Sequence, residues 1–243
     1  KTTKALTELF NELGSEVRDD DIIRWYGTGA NYYYVPEALC LPIIKTLLVE
    51  KIETEPVEVI SRIEELMLKH SDNQVMTAVM DYAVIVARLY EKALSLGSLT
   101  LNTADEYVMR YESDYCLIDQ YYRQANETYF DIDPTCELFD TLQQVKLRLD
   151  QNYSKLCNRI NLEWTRCLKE TGGMNEVHLL RQQNFYNERI KPVQKKVAVI
   201  VSDALRYEVA QELIGELAKS RHIASLKAAL AMLPSETKYC KPS

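Results

Sequence analysis

A chain of 243 residues is long enough for one large domain or two smaller ones with a substantial core. Hydrophobic residues make up 47% and charged residues 27%, as in ordinary soluble proteins. The net charge of −7 argues against a broadly basic surface for duplex nucleic acid, and the cluster of Lys191, Lys195 and Lys196 is too small to reverse that.

Seven glycines and seven prolines, with many Leu, Glu, Lys, Arg and Gln, favour helix over sheet. The six cysteines show no C-x-x-C spacing and no histidine in a ligand pattern. They read as free thiols of a reducing compartment, mostly packed as small apolar residues. The most apolar stretch, 39–49, is interrupted by Pro42 and Lys45 and falls short of the about 20 residues of a membrane span. A cytoplasmic protein that avoids the membrane is expected.

Taken in order, residues 3–14 predict a short amphipathic helix through Leu6, Phe10 and Leu13. Asp19, Asp20 and Asp21 can cap 22–26, and Gly27 and Gly29 break it. That G-x-G lacks a preceding strand and a third glycine, so it reads as a turn rather than a phosphate loop. Pro36 suits the first position of a helix to about Lys51, and Pro56 that of a helix to about His70. In the latter Ile60, Ile63, Leu66 and Met67 share a face. Ser71 or Asp72 caps a longer helix over 73–96, which a turn at Gly97 and Ser98 ends.

Thr103 caps a tyrosine-rich helix over 104–125. Its tyrosines read as packing between helices, with a stacking platform for bases as the alternative. Asp133-Pro134 predicts the start of a helix to about Glu170. Leu138, Leu142, Val145, Leu149, Tyr153, Leu156, Ile160, Trp164 and Cys167 give it a sustained apolar seam. Gly172 and Gly173 end it. His70 and His178 stand isolated and read as structural or exposed.

Residues 1–174 are therefore expected to be a helical region, 175–191 a connector, and 192–243 a different kind of domain. Val197, Ala198, Val199, Ile200 and Val201 predict a strand over 196–202, fit for a parallel sheet covered on both faces. Tyr207, Ala210, Leu213, Ile214 and Leu217 predict a helix to Ser220, and 225–232 a weaker strand. Strand, helix, strand makes a βαβ unit, so Asp203 and the loop at 233–237 both fall at carboxyl ends of strands, where α/β sheets bind ligands. Asp203 is then either a helix cap or a metal ligand, and Thr237 either a cap or a hydroxyl nucleophile that a metal can activate.

Val197-Ala198-Val199-Ile200-Val201-Ser202-Asp203-Ala204-Leu205-Arg206-Tyr207-Glu208, followed by Leu233-Pro234-Ser235-Glu236-Thr237, resembles the signature of the PglZ family. The upstream Leu179-Leu180-Arg181-Gln182-Gln183-Asn184-Phe185-Tyr186 resembles the sequence that precedes the signature in that family, so the likeness covers roughly 178–243. PglZ proteins belong to the alkaline phosphatase superfamily and are components of bacteriophage exclusion (BREX) systems. The resemblance implies a mostly α chain, a helical bundle region followed by the truncated start of an α/β alkaline-phosphatase-like domain. It implies that Asp203 is a metal ligand and that Thr237 is the catalytic nucleophile touching the same divalent metal (Zn²⁺, Mn²⁺ or Mg²⁺). Arg206, Tyr207 and Glu208 are expected to pack or bridge rather than react.

The pattern departs from the superfamily in one respect. Further Asp and His ligands should come later in the chain, but the sequence stops six residues after Thr237, and His222 is misplaced for the role. The chain also does not begin with methionine. A fragment of a longer protein is therefore expected, itself inactive and without its metal, whose parent is a phosphatase or phosphodiesterase. Other BREX proteins are the implied partners, with nucleic acid reached only through the complex. The competing readings are a helical interaction scaffold with a non-catalytic phosphatase-like fold, and an unrelated α/β domain in which Asp203 only caps a helix.

Overall fold

The computed structural model describes residues 4, 37–69, 74–203, 205–220 and 222–232. Apart from residue 4, the expectations for 3–14 and 19–29, for Pro36, for the caps at Ser71 and Asp72, and for His70, Cys240 and Thr237 lie outside the described residues. The mostly α expectation holds. Its helices are α1 (Glu37–Thr46, extended by a π-turn Leu47–Lys51), α2 (Pro56–Lys69), α3 (Gln74–Ser95), α4 (Ala104–Arg110), α5 (Cys116–Phe130), α6 (Phe139–Thr171) and α7 (Tyr207–Lys219). Two short strands, β1 (Leu180–Arg181) and β2 (Ala229–Leu230), pair in parallel. The chain divides into two units, 1–97 with 121–158, and 98–120 with 159–243.

The first unit carries most of the core. Its helix α3 is buried over most of its circumference, from Met76 through Tyr82 and Val86 to Tyr90, with Gln74, Asp81 and Arg88 on the open stripe. Along α2, Val59, Ile63 and Leu66 are fully buried at steps of four and three. The front of the predicted seam behaves the same way, with Leu138, Leu142, Val145 and Leu149 all buried. Burying one such side chain contributes about 1.5–3 kcal/mol, so these rows outweigh any surface ion pair of the unit.

Polar groups in this unit set register. Arg148 donates to the Leu48 carbonyl at 3.2 Å and pairs with Glu53, while Asn152 bonds the Tyr90 hydroxyl at 3.1 Å. Tyr122 stacks flat on Tyr153 at 3.7 Å, and its hydroxyl meets Asp150, which also pairs with Lys146. The tyrosines thus pack between helices.

In the second unit Thr103 caps α4 as predicted: its hydroxyl accepts from the Glu106 amide at 3.2 Å. Glu106 reaches back to the Asn102 amide at 2.9 Å, so two free amides of the helix start are satisfied. The Tyr107 hydroxyl donates to the Leu99 carbonyl, and its ring meets Trp164 edge-on at 5.5 Å. A π-turn over Tyr111–Tyr115 carries the helix on into α5, which ends at Phe130, five residues later than predicted.

Three further expectations change. Asp133 does not cap α6: its carboxylate accepts from the Thr135 amide and hydroxyl, closing a turn of its own, and the helix starts at Phe139. The proline that suits a helix start suits a turn equally well. Among the described residues the strand predicted over 196–202 has no pairing partner, and Ile200 and Val201 are 91% and 86% exposed. The strand predicted over 225–232 shortens to β2, and its partner is β1, a segment read as connector. A helix satisfies its backbone within itself, whereas a strand needs a neighbour. Among the described residues none lies beside 196–202. The parallel crossover through α7 does form, starting from β1 instead.

Candidate functional site

Asp203 sits in a turn after the unpaired apolar run and is exposed. It does not cap α7. That helix starts at Tyr207, and Arg206 stands at its N-cap with extended backbone and no side-chain cap bond. No hydrogen bond or ion pair engages the Asp203 carboxylate among the described residues, while the neighbouring Ser202 hydroxyl bonds the Asp203 carbonyl at 3.4 Å.

The start of α7, just beyond Asp203, is tightly held. Glu208 is fully buried, and Arg206 donates to it at 2.7 Å. A buried carboxylate with a guanidinium partner avoids the desolvation cost of a lone charge. The Tyr207 ring meets Tyr111 edge-on at 6.2 Å. Burial pushes the Tyr207 phenol up, and the negative charge of Glu112 adds to the shift. Gln211, one turn further, accepts from the Cys116 thiol at 3.2 Å. Burial also raises the Cys116 thiol, which keeps it protonated and unreactive. Arg206, Tyr207 and Glu208 therefore bridge and pack, as expected of them.

The cysteines Cys40, Cys116, Cys136, Cys157 and Cys167 form no disulfide among the described residues, and Cys40, Cys116 and Cys167 are buried. Among the described residues no group of three or more His, Cys, Asp or Glu is placed to hold a metal ion. Asp203 supplies one hard oxygen donor of the right chemistry. A single carboxylate does not make a site, since a bound Zn²⁺ takes three or four protein ligands.

One titratable pair was not legible in the sequence. His178 Nδ1 meets Asp105 Oδ2 at 2.6 Å, and the His178 amide donates to Asp105 Oδ1 at 2.9 Å. The hydrogen bond that Asp105 accepts raises the imidazole above its ordinary value, and the same contacts, led by the backbone bond, hold the Asp105 carboxyl down. His178 is exposed as expected, but not isolated. The partners are 73 residues apart in sequence, so no local spacing announces them.

Residues 185–243 match the family model described as the BREX system PglZ alkaline phosphatase-like domain. The chain is 49% identical over 63 residues to the alkaline phosphatase-like protein BrxZ of Escherichia coli O9:H4 (strain HS), which covers 24% of this chain and 7% of that protein. It is 28% identical over 161 residues to the alkaline phosphatase-like protein PglZ of Bacillus cereus (strain H3081.97), covering 62% of this chain and 18% of that protein. The chain thus spans less than a fifth of the length of the curated relatives it matches. No solved structure matches it. The resemblance to the PglZ family, read from the apolar run and the residues after Asp203, is therefore borne out over 185–243.

Proposed function

We propose that this chain belongs to a metal-dependent phosphoryl-transfer protein of a BREX antiviral system, working in the cytoplasm beside other BREX proteins. The observation that carries the reading is the family match over 185–243, which contains both Asp203 and Thr237. In this reading 1–174 is a helical region, 175–191 a connector, and 192–243 the opening part of the phosphatase-like domain. Among the described residues no helix is long and apolar enough to cross a membrane, which fits that placement.

Asp203 would be one ligand of a divalent cation, and Thr237 the attacking hydroxyl. When bound, such a cation supplies Lewis acidity at the transferring phosphoryl group. The chain's own contribution is positional. The buried Glu208 and its Arg206 partner fix the start of α7, and so limit the freedom of the turn that carries the carboxylate. The described residues do not complete a metal site, so the chain by itself is proposed to be inactive.

The test uses a protein of the relatives' full length that carries this sequence. Hydrolysis of a chromogenic phosphomonoester and of a phosphodiester is measured with Zn²⁺, Mn²⁺ or Mg²⁺, for wild type, Asp203→Ala and Thr237→Ala. Metal-dependent turnover lost by about 100-fold or more in both variants is expected, since each removes a group acting on the reacting centre. Turnover unaffected by both changes would sink the assignment.

One observation favours the scaffold reading as the alternative. The rear of the α6 seam is only partly covered: Tyr153, Leu156, Ile160 and Trp164 are half-buried. Apolar surface of this kind suits a protein partner.

A further inference from the structure

β1 and β2 run in the same direction, with Arg181 opposite Leu230 at their carboxyl ends. A cavity of about 230 Å³ opens there, lined by Met174, Arg181, Gln182, Gln183, Leu230 and Met232 among others. The carboxyl edge of parallel strands is where α/β folds take their ligands. Of the described residues lining it, Arg181 carries the only charge, and no carboxylate opposes it.

Two of the donors are tethered. Arg181 is half-buried, and its Nη2 donates to the Met174 carbonyl at 3.0 Å, which pins the guanidinium to the wall. A guanidinium has about five N–H donors, so most remain free after that bond. The Gln182 side-chain oxygen accepts from the Met232 amide at 3.4 Å, which leaves its NH₂ group as the free end. Gln183 adds a second carboxamide. A planar cationic fork with amide donors beside it matches a tetrahedral oxyanion better than a cation or an apolar ligand. The volume falls below the about 300–1,000 Å³ of drug-sized pockets, which favours a small ion or the phosphoryl end of a larger molecule.

We propose that this cavity is a phosphate-binding site, with Arg181 as its principal donor and the Gln182 and Gln183 carboxamides as orienting groups. The site uses neither Asp203 nor a metal, so it stands whether or not the reading of Asp203 holds.

The experiment is calorimetric titration of the full chain with inorganic phosphate at low salt, without divalent metal, with acetate titrated in parallel. Saturable binding of phosphate in preference to acetate is expected. Arg181→Ala should weaken it by about tenfold or more, because a charge-assisted hydrogen bond is lost. Gln183→Glu, at an exposed position that tolerates substitution, should weaken it similarly by placing a like charge in the cavity, and it keeps the test open if Arg181→Ala does not fold. Circular dichroism checks that helix content is retained. Absence of saturable binding, equal binding of acetate, or phosphate binding unchanged in both variants overturns the proposal. Binding that appears only with added divalent metal and is lost in Asp203→Ala but kept in Arg181→Ala also overturns it, while supporting the role proposed for Asp203.

Discussion

The helical residues of the first unit and the stretch from 193 to 205 are both rich in apolar side chains, yet they meet opposite fates. Ile63, Leu66, Leu142 and Leu149 are fully buried, whereas Val197, Val199, Ile200, Val201 and Leu205 are all well exposed. The difference lies in backbone accounting rather than in hydrophobicity. A helix closes its own hydrogen bonds and needs only one apolar face covered, and neighbouring helices cover it. A β-branched run of the kind found in parallel sheets needs a partner on each edge and a layer on each face. Among the described residues no strand pairs with 196–202, and its apolar side chains stay exposed.

That comparison can be broken most directly by paired truncations. Leu149→Ala should lower the stability of the chain by about 2–5 kcal/mol in denaturant unfolding, as cavity-forming core substitutions do. Ile200→Ala should change it by less than about 0.5 kcal/mol, as for a surface position. Similar losses in both would mean that the apolar run is covered after all.

A smaller effect sharpens the boundary between the two regions, at the start of α7 after Asp203. Glu208→Ala should cost about 1–3 kcal/mol, because it empties a buried position and strips Arg206 of its partner. The exposure of Arg206, which can rehydrate, places the outcome toward the lower end. A neutral result would show that other contacts, such as those of Tyr207 with Tyr111 and of Gln211 with Cys116, hold α7 without it.

The smallest effect is a pH dependence confined to the second unit. The folded-state value of His178 is raised, so its contribution is fully present below its unfolded value of about 6.5 and is lost as pH rises through the raised one. The folded-state value of Asp105 is lowered, so its contribution is present above about 3.9 and is lost as pH falls through the lowered one. The pair should therefore be strongest between about pH 4 and 6.5. An NMR titration should find the His178 imidazole above its ordinary value in wild type and back near it in Asp105→Asn. No difference between the two proteins would remove the contact.

Much of the helical region was legible from local chemistry. Pro56 at a first helical position, the Thr103 cap, Gly97 with φ +66° and Gly172 with φ +107° all act where the sequence placed them. So does the front of the α6 seam. Each of these signals acts within a few residues of itself. The roles of Arg206, Tyr207 and Glu208 were legible too, because they fall at the helix that follows the predicted strand. The Asp133 turn was misread because one dipeptide serves two local structures, and only the packing of Phe139 and the residues after it selects between them.

By itself, then, the sequence determined a mostly α chain, the limits of most described helices and a PglZ-type stretch around Asp203, since helix signals and family motifs are both local. Only the tertiary structure decided that β2 pairs with 180–181 rather than with 196–202, that His178 meets Asp105, and that Arg181 lines a cavity at the strand ends. Each of those joins residues about 50 or more positions apart, and no periodicity or spacing rule reaches that far. They are settled by which backbone edges and charged groups the folded chain brings within hydrogen-bond reach.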